Sequence, residues 1–542
     1  MTIMGEVFFV MYGKVVSACL HGVEGKLVEV EVDLSNGLPQ MSIVGLPDSA
    51  IKESMERVRA AIKNCGFVFP LQRITVNLAP ADVRKEGAAF DLAIAAGILM
   101  TSGQISPELC RDRLIIGELA LDGSVRGVPG VLSMMMSAGE QGIGQALVPL
   151  DNAEEAGWIE GCETRCIANL SELRPSPQGD GEMRLDADTA AADTGRIIGD
   201  ERTDRRAESA APGPAQALVD YADVCGQLHV KRALMICAAG MHNILLIGPP
   251  GTGKTMLAKR LPSILPAMSE SESLDVTRIY SASGKFADRR QLIRSRPFRM
   301  PHHTVSSAGL VGGGGIPKPG EVSLAHRGVL FLDELPEFSR MALEVLRQPM
   351  EDRHVTIGRA KAVYRFPAHF LLAASMNPCP CGYWGAETEH QGCICTPLKV
   401  AHYRSKISGP LLDRIDLHIE VPRIDYKHLD NSLPQLSSRE MKDRVEAAHR
   451  IQKERYGADG ITFNSELQGR LLREHVKLDE ASSLLLQRSF DLLGLSVRAH
   501  DRILKIARTI ADLEGSRQVT AGHVAEALQY RQLDKKLSPG GM

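Results

Sequence analysis

The chain has no apolar run near the roughly twenty residues that span a bilayer. The longest near its start is Val7-Phe8-Phe9-Val10-Met11. It shows no basic stretch followed by a long apolar core, the pattern of a secretory leader. Charge of one sign is not in excess either. The net charge of −3 argues against a protein coated in basic surface. A local basic stripe or a ring pore could still hold nucleic acid. No internal repeat is present. The expectation is a cytoplasmic globular protein with no membrane partner. Its 11 cysteines then sit in a reducing compartment. Disulfides are disfavoured there, and clustered thiols point to metal. With 542 residues, 44% hydrophobic and 24% charged, the chain has room for about three to four domains.

Composition and periodicity divide the chain. Lys26 to Val32 alternates at period two, as a half-buried strand does, and Ile74 to Leu78 reads as another strand. Phe90 to Met100 is Ala-rich and apolar on most sides, which predicts a buried helix. From 175 to 217, Pro, Gly, Asp, Ala and Arg dominate, and a disordered linker is expected, with a single extra helix as the alternative. Strand and helix signals alternate from 218 to 435, as in a parallel sheet covered by helices. Beyond 436 the period is helical. Helices are expected from Ser438, over Asp479 to Leu493, over Arg498 to Leu513, and after an N-capping Thr520.

The octapeptide Gly248-Pro249-Pro250-Gly251-Thr252-Gly253-Lys254-Thr255 follows the apolar run Ile244 to Ile247 and precedes a helix-like Met256 to Leu261. Strand, glycine loop and helix at the spacing G-x-x-x-x-G-K-T cradle a triphosphate. Backbone N–H groups wrap the phosphates, Lys254 reaches the β- and γ-phosphates, and Thr255 ligates Mg²⁺. About 80 residues on, the apolar run Val329 to Leu332 ends in Asp333 and Glu334. Asp333 suits the Mg²⁺ shell and Glu334 the base that polarises the attacking water. Leu371 to Met376 is a further strand ending in Asn377, an amide placed to hold that water or touch the γ-phosphate. Val311 to Gly320 reads as an irregular mobile loop. His354 to Arg359 and Lys361 to Arg365 read as hairpin strands around Ala360, with Arg359 and Lys361 at the tip. Cys379-Pro380-Cys381 and Cys393-Ile394-Cys395 supply four thiolates for a tetrahedral Zn²⁺ site, free thiols and an iron–sulfur centre being the alternatives. His390 ranks below the cysteines as a ligand. His302 and His303 read as structural neighbours of the nucleotide site.

GPPGTGKT, then FLDE, then Asn377 together resemble an AAA+ ATPase. The linkage of Arg299-Met300-Pro301-His302-His303, a glycine-rich stretch, FLDELPEF and Asn377-Pro378-Cys379-Pro380-Cys381-Gly382 is narrower. It resembles the magnesium-chelatase-like family that includes YifB and ComM. Val44 to Asp48 and Asn77 to Asp82 fit that family's leading domain, and the long linker is a departure. The resemblance implies ATP with Mg²⁺, and self-association into a hexameric ring. It also implies an arginine finger at Arg414 in the box Ser408 to Asp416, with Arg404 and Arg423 as weaker candidates, and a sensor arginine at Arg498 that closes a lid on the γ-phosphate. Hairpins carrying Arg359 and Lys361 would face a central pore and contact branched or single-stranded DNA. The implied function is ComM-like branch migration or unwinding in recombination or natural transformation. A magnesium-chelatase-type motor subunit and a protein-remodelling or regulatory ATPase without nucleic acid remain alternatives.

Arg84 to Asp91 and Gly117 to Gly123 resemble the Lon-protease type of S5-like domain. On that resemblance the serine nucleophile's position falls at Ala89 and the lysine's near Leu132, which implies that proteolysis by that route is not expected. The expected architecture is α/β and multidomain. It comprises an N-terminal S5/Lon-like α+β domain at 1–174, the linker at 175–217, an AAA+ parallel α/β P-loop domain at 218–435 with a cysteine insertion at 379–395, and a C-terminal helical lid at 436–542.

Overall fold

Four short runs, Ile244–Ile247, Val329–Leu332, Leu371–Met376 and the first three residues of Leu417–Glu420, are buried at every position. Such runs have no solvent face and therefore suit a sheet covered on both sides. In the computed structural model they pair in parallel. With Phe298–Arg299 they form a five-stranded sheet in the order 298–299, 329–332, 371–376, 244–247, 417–420. The first strand in sequence thus lies between the fourth and the fifth. This break in strand order opens a crevice at the carboxyl ends, where ligands bind in such sheets. The described residues are 12–81, 84–175, 197–198, 219–285, 291–315, 317–359, 362–385, 392–423, 435–457 and 459–531.

The chain divides into two compact units, 1–210 with 277–292, and 211–276 with 293–542. The second unit holds the parallel sheet and the C-terminal helices together. One core cluster runs from Leu246 and Phe331 through the helix Leu228–Gly240 to Val445 and Ile503. The helices Ser438–Tyr456, Glu480–Leu493 and Val497–Leu513 start at Ser437, Asp479 and Ser496, short polar residues that satisfy free N–H groups at a first turn, and Ala521–Gln529 starts at Thr520, whose own N–H donates to His523 Nδ1.

Two antiparallel hairpins belong to this unit. His354–Arg359 pairs with Ala362–Pro367, while Ala360 and Lys361 lie outside the described residues. Gly312–Gly313 pairs with Lys318–Pro319, so the glycine-rich stretch expected to be irregular is in part a hairpin. Close approach explains it. A Cβ on Gly312 would lie 2.4 Å from the Lys318 carbonyl oxygen, and one on Gly320 would lie 2.3 Å from the Gly312 nitrogen. Glycine here lets two backbones meet, besides supplying freedom.

The first unit is built on an eight-stranded mixed sheet, in the order 197–198, 163–167, 145–149, 113–115, 12–21, 24–35, 73–79, 40–44. Along Glu24–Ser35, Val28, Val30, Val32 and Leu34 alternate into one core with the helices Ser49–Asn64 and Asp91–Thr101. The strand Ile197–Ile198 falls within the stretch expected to be a linker; 176–196 and 199–218 lie outside the described residues. Asp91 is buried against Arg57 at 2.7 Å. Burial pushes its carboxyl up to about 6, against the pull of that guanidinium. Ala89 packs at the edge of a second cluster that contains Val131 and Met134, and Leu132 is fully buried. Both residues thus sit in apolar packing. Among the described residues no helix is long and apolar enough to cross a membrane.

Candidate nucleotide site

The loop after Ile244–Ile247 turns through two left-handed glycines, Gly251 at φ 78° and Gly253 at φ 84°. A Cβ on Gly248 would lie 2.2 Å from the Val421 carbonyl oxygen, so only glycine fits there. The helix Lys254–Lys259 begins at once. Lys254 curls back into the loop. Its Nζ donates to the carbonyls of Gly248 and Pro249, each at 2.8 Å, and to Oδ1 of Asn377 at 3.2 Å. Burial pushes its ammonium below the ordinary lysine value, while Asp333 and Glu334 pull it back up.

The neighbouring strands complete the site. Thr255 Oγ1 donates to Oδ2 of Asp333 at 2.8 Å. Oδ1 of Asp333 accepts from Ser375 Oγ, and the Glu334 amide donates to that same hydroxyl at 3.3 Å. Ser375 therefore fixes both acids from the next strand. Its role was not legible from sequence, although a polar residue inside the run Leu371–Met376 was the available signal. Glu334 is exposed and its backbone is left-handed at φ 54°, a costly state for a non-glycine residue that turns the side chain out of the strand line. Tyr403 contacts the Asn377 backbone, and burial pushes its phenol up to about 12. Lys254, Thr255, Asp333 and Asn377 thus converge, with Glu334 adjoining. The His302 and His303 rings lie 4.0 Å apart, and His303 meets Phe338 edge-on at 6.4 Å, close after the acidic pair.

Arg414 and Arg498 do not join this group. Both lie at Glu351, Arg414 at 2.6 Å and Arg498 at 3.8 Å. Arg404 donates to the Pro378 carbonyl at 3.2 Å, and Arg423 stacks over Tyr383 at 5.1 Å. Arg359 donates to the Gly314 carbonyl at 2.8 Å, which ties the two hairpins together. Lys361 and His390 are outside the described residues.

Cys379, Cys381, Cys393 and Cys395 present sulfurs that all lie within 4.8 Å of one another. Three of the separations are 3.3, 3.5 and 3.8 Å. Four thiolates about 2.3 Å from one ion would stand roughly 3.8 Å apart. The set therefore fits tetrahedral zinc, and the separations are far too long for a disulfide. Gly382, at φ 89°, lies so near Pro250 that a Cβ would come within 2.6 Å of its Cδ. The cysteine segment thus packs against the glycine loop.

Three family descriptions match successive parts of the chain. They are the magnesium chelatase subunit ChlI over residues 220–429, the subunit ChlI of Mg-chelatase over 30–152, and the ChlI C-terminal part over 435–531. The competence protein ComM of Haemophilus influenzae is 42% identical over 527 residues, covering 96% of this chain and 98% of that protein. The uncharacterized protein YifB of Escherichia coli is 41% identical over 522 residues, covering 95% and 96%. Lon protease 2 of Bacillus subtilis is 29% identical over 148 residues, about a quarter of each chain. A glycine loop opening onto a helix, an acidic pair two strands away in the same sheet and near-complete similarity to these relatives converge on one assignment: the chain belongs to the YifB/ComM family of magnesium-chelatase-like AAA+ ATPases.

Proposed function

We propose that the chain is an ATP-hydrolysing ring motor, a hexamer, that acts on branched or single-stranded DNA as a branch-migration enzyme or helicase in recombination or natural transformation. The observation that carries the ATPase part is the convergence of Lys254, Asn377, Thr255 and Asp333 at the carboxyl ends of adjacent parallel strands. ATP would replace the Gly248 and Pro249 carbonyls as the partner of Lys254. Mg²⁺ would be held by Thr255 and Asp333 and would supply charge neutralisation on the triphosphate. Glu334 takes the proton of the attacking water, with Asn377 positioning that water. Arg414 serves the nucleotide of the adjoining subunit, which requires a ring. Zinc at the four cysteines would keep the segment beside the glycine loop folded.

The DNA part rests on the two hairpins that Arg359 joins. Repeated around a ring, Arg359 and Lys361 make a positive collar for phosphates. The first unit has no serine nucleophile at Ala89 and serves as a binding or assembly platform. The chelatase descriptions that match the chain favour a second reading, a motor subunit that drives a partner enzyme. A four-way DNA junction separates the two. The DNA motor shifts the junction in a salt-dependent way and migrates the branch only with ATP. A chelatase-type or protein-remodelling ATPase gives neither result.

A further inference from the structure

The carboxylate of Glu351 lies where two arginines converge. Its Oε1 is 2.6 Å from Nη2 of Arg414 and 3.8 Å from Nη2 of Arg498. The three residues come from separate elements. Glu351 belongs to the helix Arg347–Asp352 just ahead of the His354–Arg359 strand, Arg414 follows the short helix Gly409–Leu412, and Arg498 stands in the first turn of Val497–Leu513. Arg414 is only 6% exposed, yet it lines a cavity of about 680 Å³ together with Glu351, Glu344, Arg347 and Gly358. Its Nη1 donates to the Pro410 carbonyl at 2.6 Å, while its buried Nε has no hydrogen-bond partner. A guanidinium that lines a cavity and is not fully hydrogen-bonded is suited to an incoming anion. The adjacent Asp413 is engaged elsewhere, with Arg502, Arg531 and Ser496. The task of holding Arg414 and Arg498 together falls to Glu351.

We propose that Glu351 is a positioning residue that holds Arg414 and Arg498 side by side, so that both guanidiniums meet one triphosphate, that of the adjoining subunit. This rests on the reading of Arg414 as a finger acting between subunits. Two guanidiniums brought together repel, and a shared carboxylate offsets that repulsion at short range. It occupies one edge of each cation and leaves their remaining donors for an anion with several oxygens. Glu351 does not touch the nucleotide. It fixes the distance between the groups that do, and loss of its charge shows in turnover with little effect on nucleotide binding in the same subunit.

The experiment uses the full chain with DNA and ATP, with Glu351 varied alone and in Arg414→Ala, and with Lys254→Ala and Arg414→Ala as mixing partners. Glu351→Gln keeps the shape and removes the charge. It is expected to lower kcat about tenfold with KM for ATP nearly unchanged. Glu351→Asp, which keeps the charge, is expected to fall between that variant and wild type. Introduced into Arg414→Ala, where only Arg498 is left for it to hold, Glu351→Gln is expected to cost less than it does in the wild-type chain. Mixing Glu351→Gln subunits with Lys254→Ala subunits, which bring an intact Glu351 and Arg414 to their neighbours, is expected to restore part of the lost turnover. Arg414→Ala mixed in the same way serves as the reference. Wild-type kcat in Glu351→Gln overturns the proposal. So does a loss that mixing does not relieve although the Arg414→Ala loss is relieved. An Arg414→Ala loss that mixing fails to relieve overturns the intersubunit finger, and the assignment of Glu351 with it.

Discussion

Lys254 is held by three oxygens, two of them backbone carbonyls of its own loop. The ammonium thus stays solvated while buried, and phosphate oxygens can exchange with those carbonyls at small cost. Lys254→Ala is expected to weaken ATP binding by more than about a hundredfold, near 2.7 kcal/mol, in a direct titration with a fluorescent nucleotide. Unchanged affinity would remove Lys254 from the site. Glu334 differs in kind, because it is exposed and its amide, not its carboxylate, is anchored by Ser375. Glu334→Gln is expected to leave binding intact and to slow hydrolysis by about 10²–10⁴, the usual share of a general base. Turnover near the wild-type rate would assign the proton to another group. At this scale sequence reading went far where spacing encodes chemistry, as in G-x-x-x-x-G-K-T, and fell short where the partner lies on another strand. Nothing in Leu371 to Met376 says that Ser375 grips the acid pair, since that depends on strand order.

Elements were legible to the extent that their signals are local. The cap residues Ser437, Asp479 and Ser496 mark helix starts because each supplies an oxygen to its own first turn. The buried helix Asp91–Thr101 announced itself by being apolar all round. The Gly312–Gly313 strand did not. A run of glycines signals freedom, whereas the use made of them is the close approach of Lys318 and Gly320, a long-range fact. The cysteine segment lies between these cases. Cys-x-Cys pairs suggested metal, and the four sulfurs within 4.8 Å of one another give that suggestion a geometry. Purified protein is expected to carry about one zinc per chain, and Cys379→Ser/Cys393→Ser to carry none by elemental analysis. Full zinc in that variant would place the ion elsewhere. Loss of the metal is also expected to loosen the contact between Gly382 and Pro250, and so to weaken ATP binding.

For the whole molecule, the decisive fact is a separation within the second unit. Asn377, Thr255 and Asp333 gather around Lys254, while Arg414 and Arg498 gather around Glu351. On the proposed reading a single subunit holds two incomplete halves, and a ring would join each half to its complement. The sequence suggested each half through its motif. It could not show that Arg498 stands with Arg414, because 84 positions separate them and only the packing of the helix Val497–Leu513 brings them together. A finger that acts between subunits would contribute about 10³–10⁵ in rate, so the proposed reading assigns almost all turnover to the assembled form. The most direct measurement is specific ATPase activity against protein concentration, with assembly followed in parallel by sedimentation. Activity per chain is expected to rise steeply with concentration and to track the population of rings. Full activity per chain at dilutions where the protein sediments as a monomer would contradict the account.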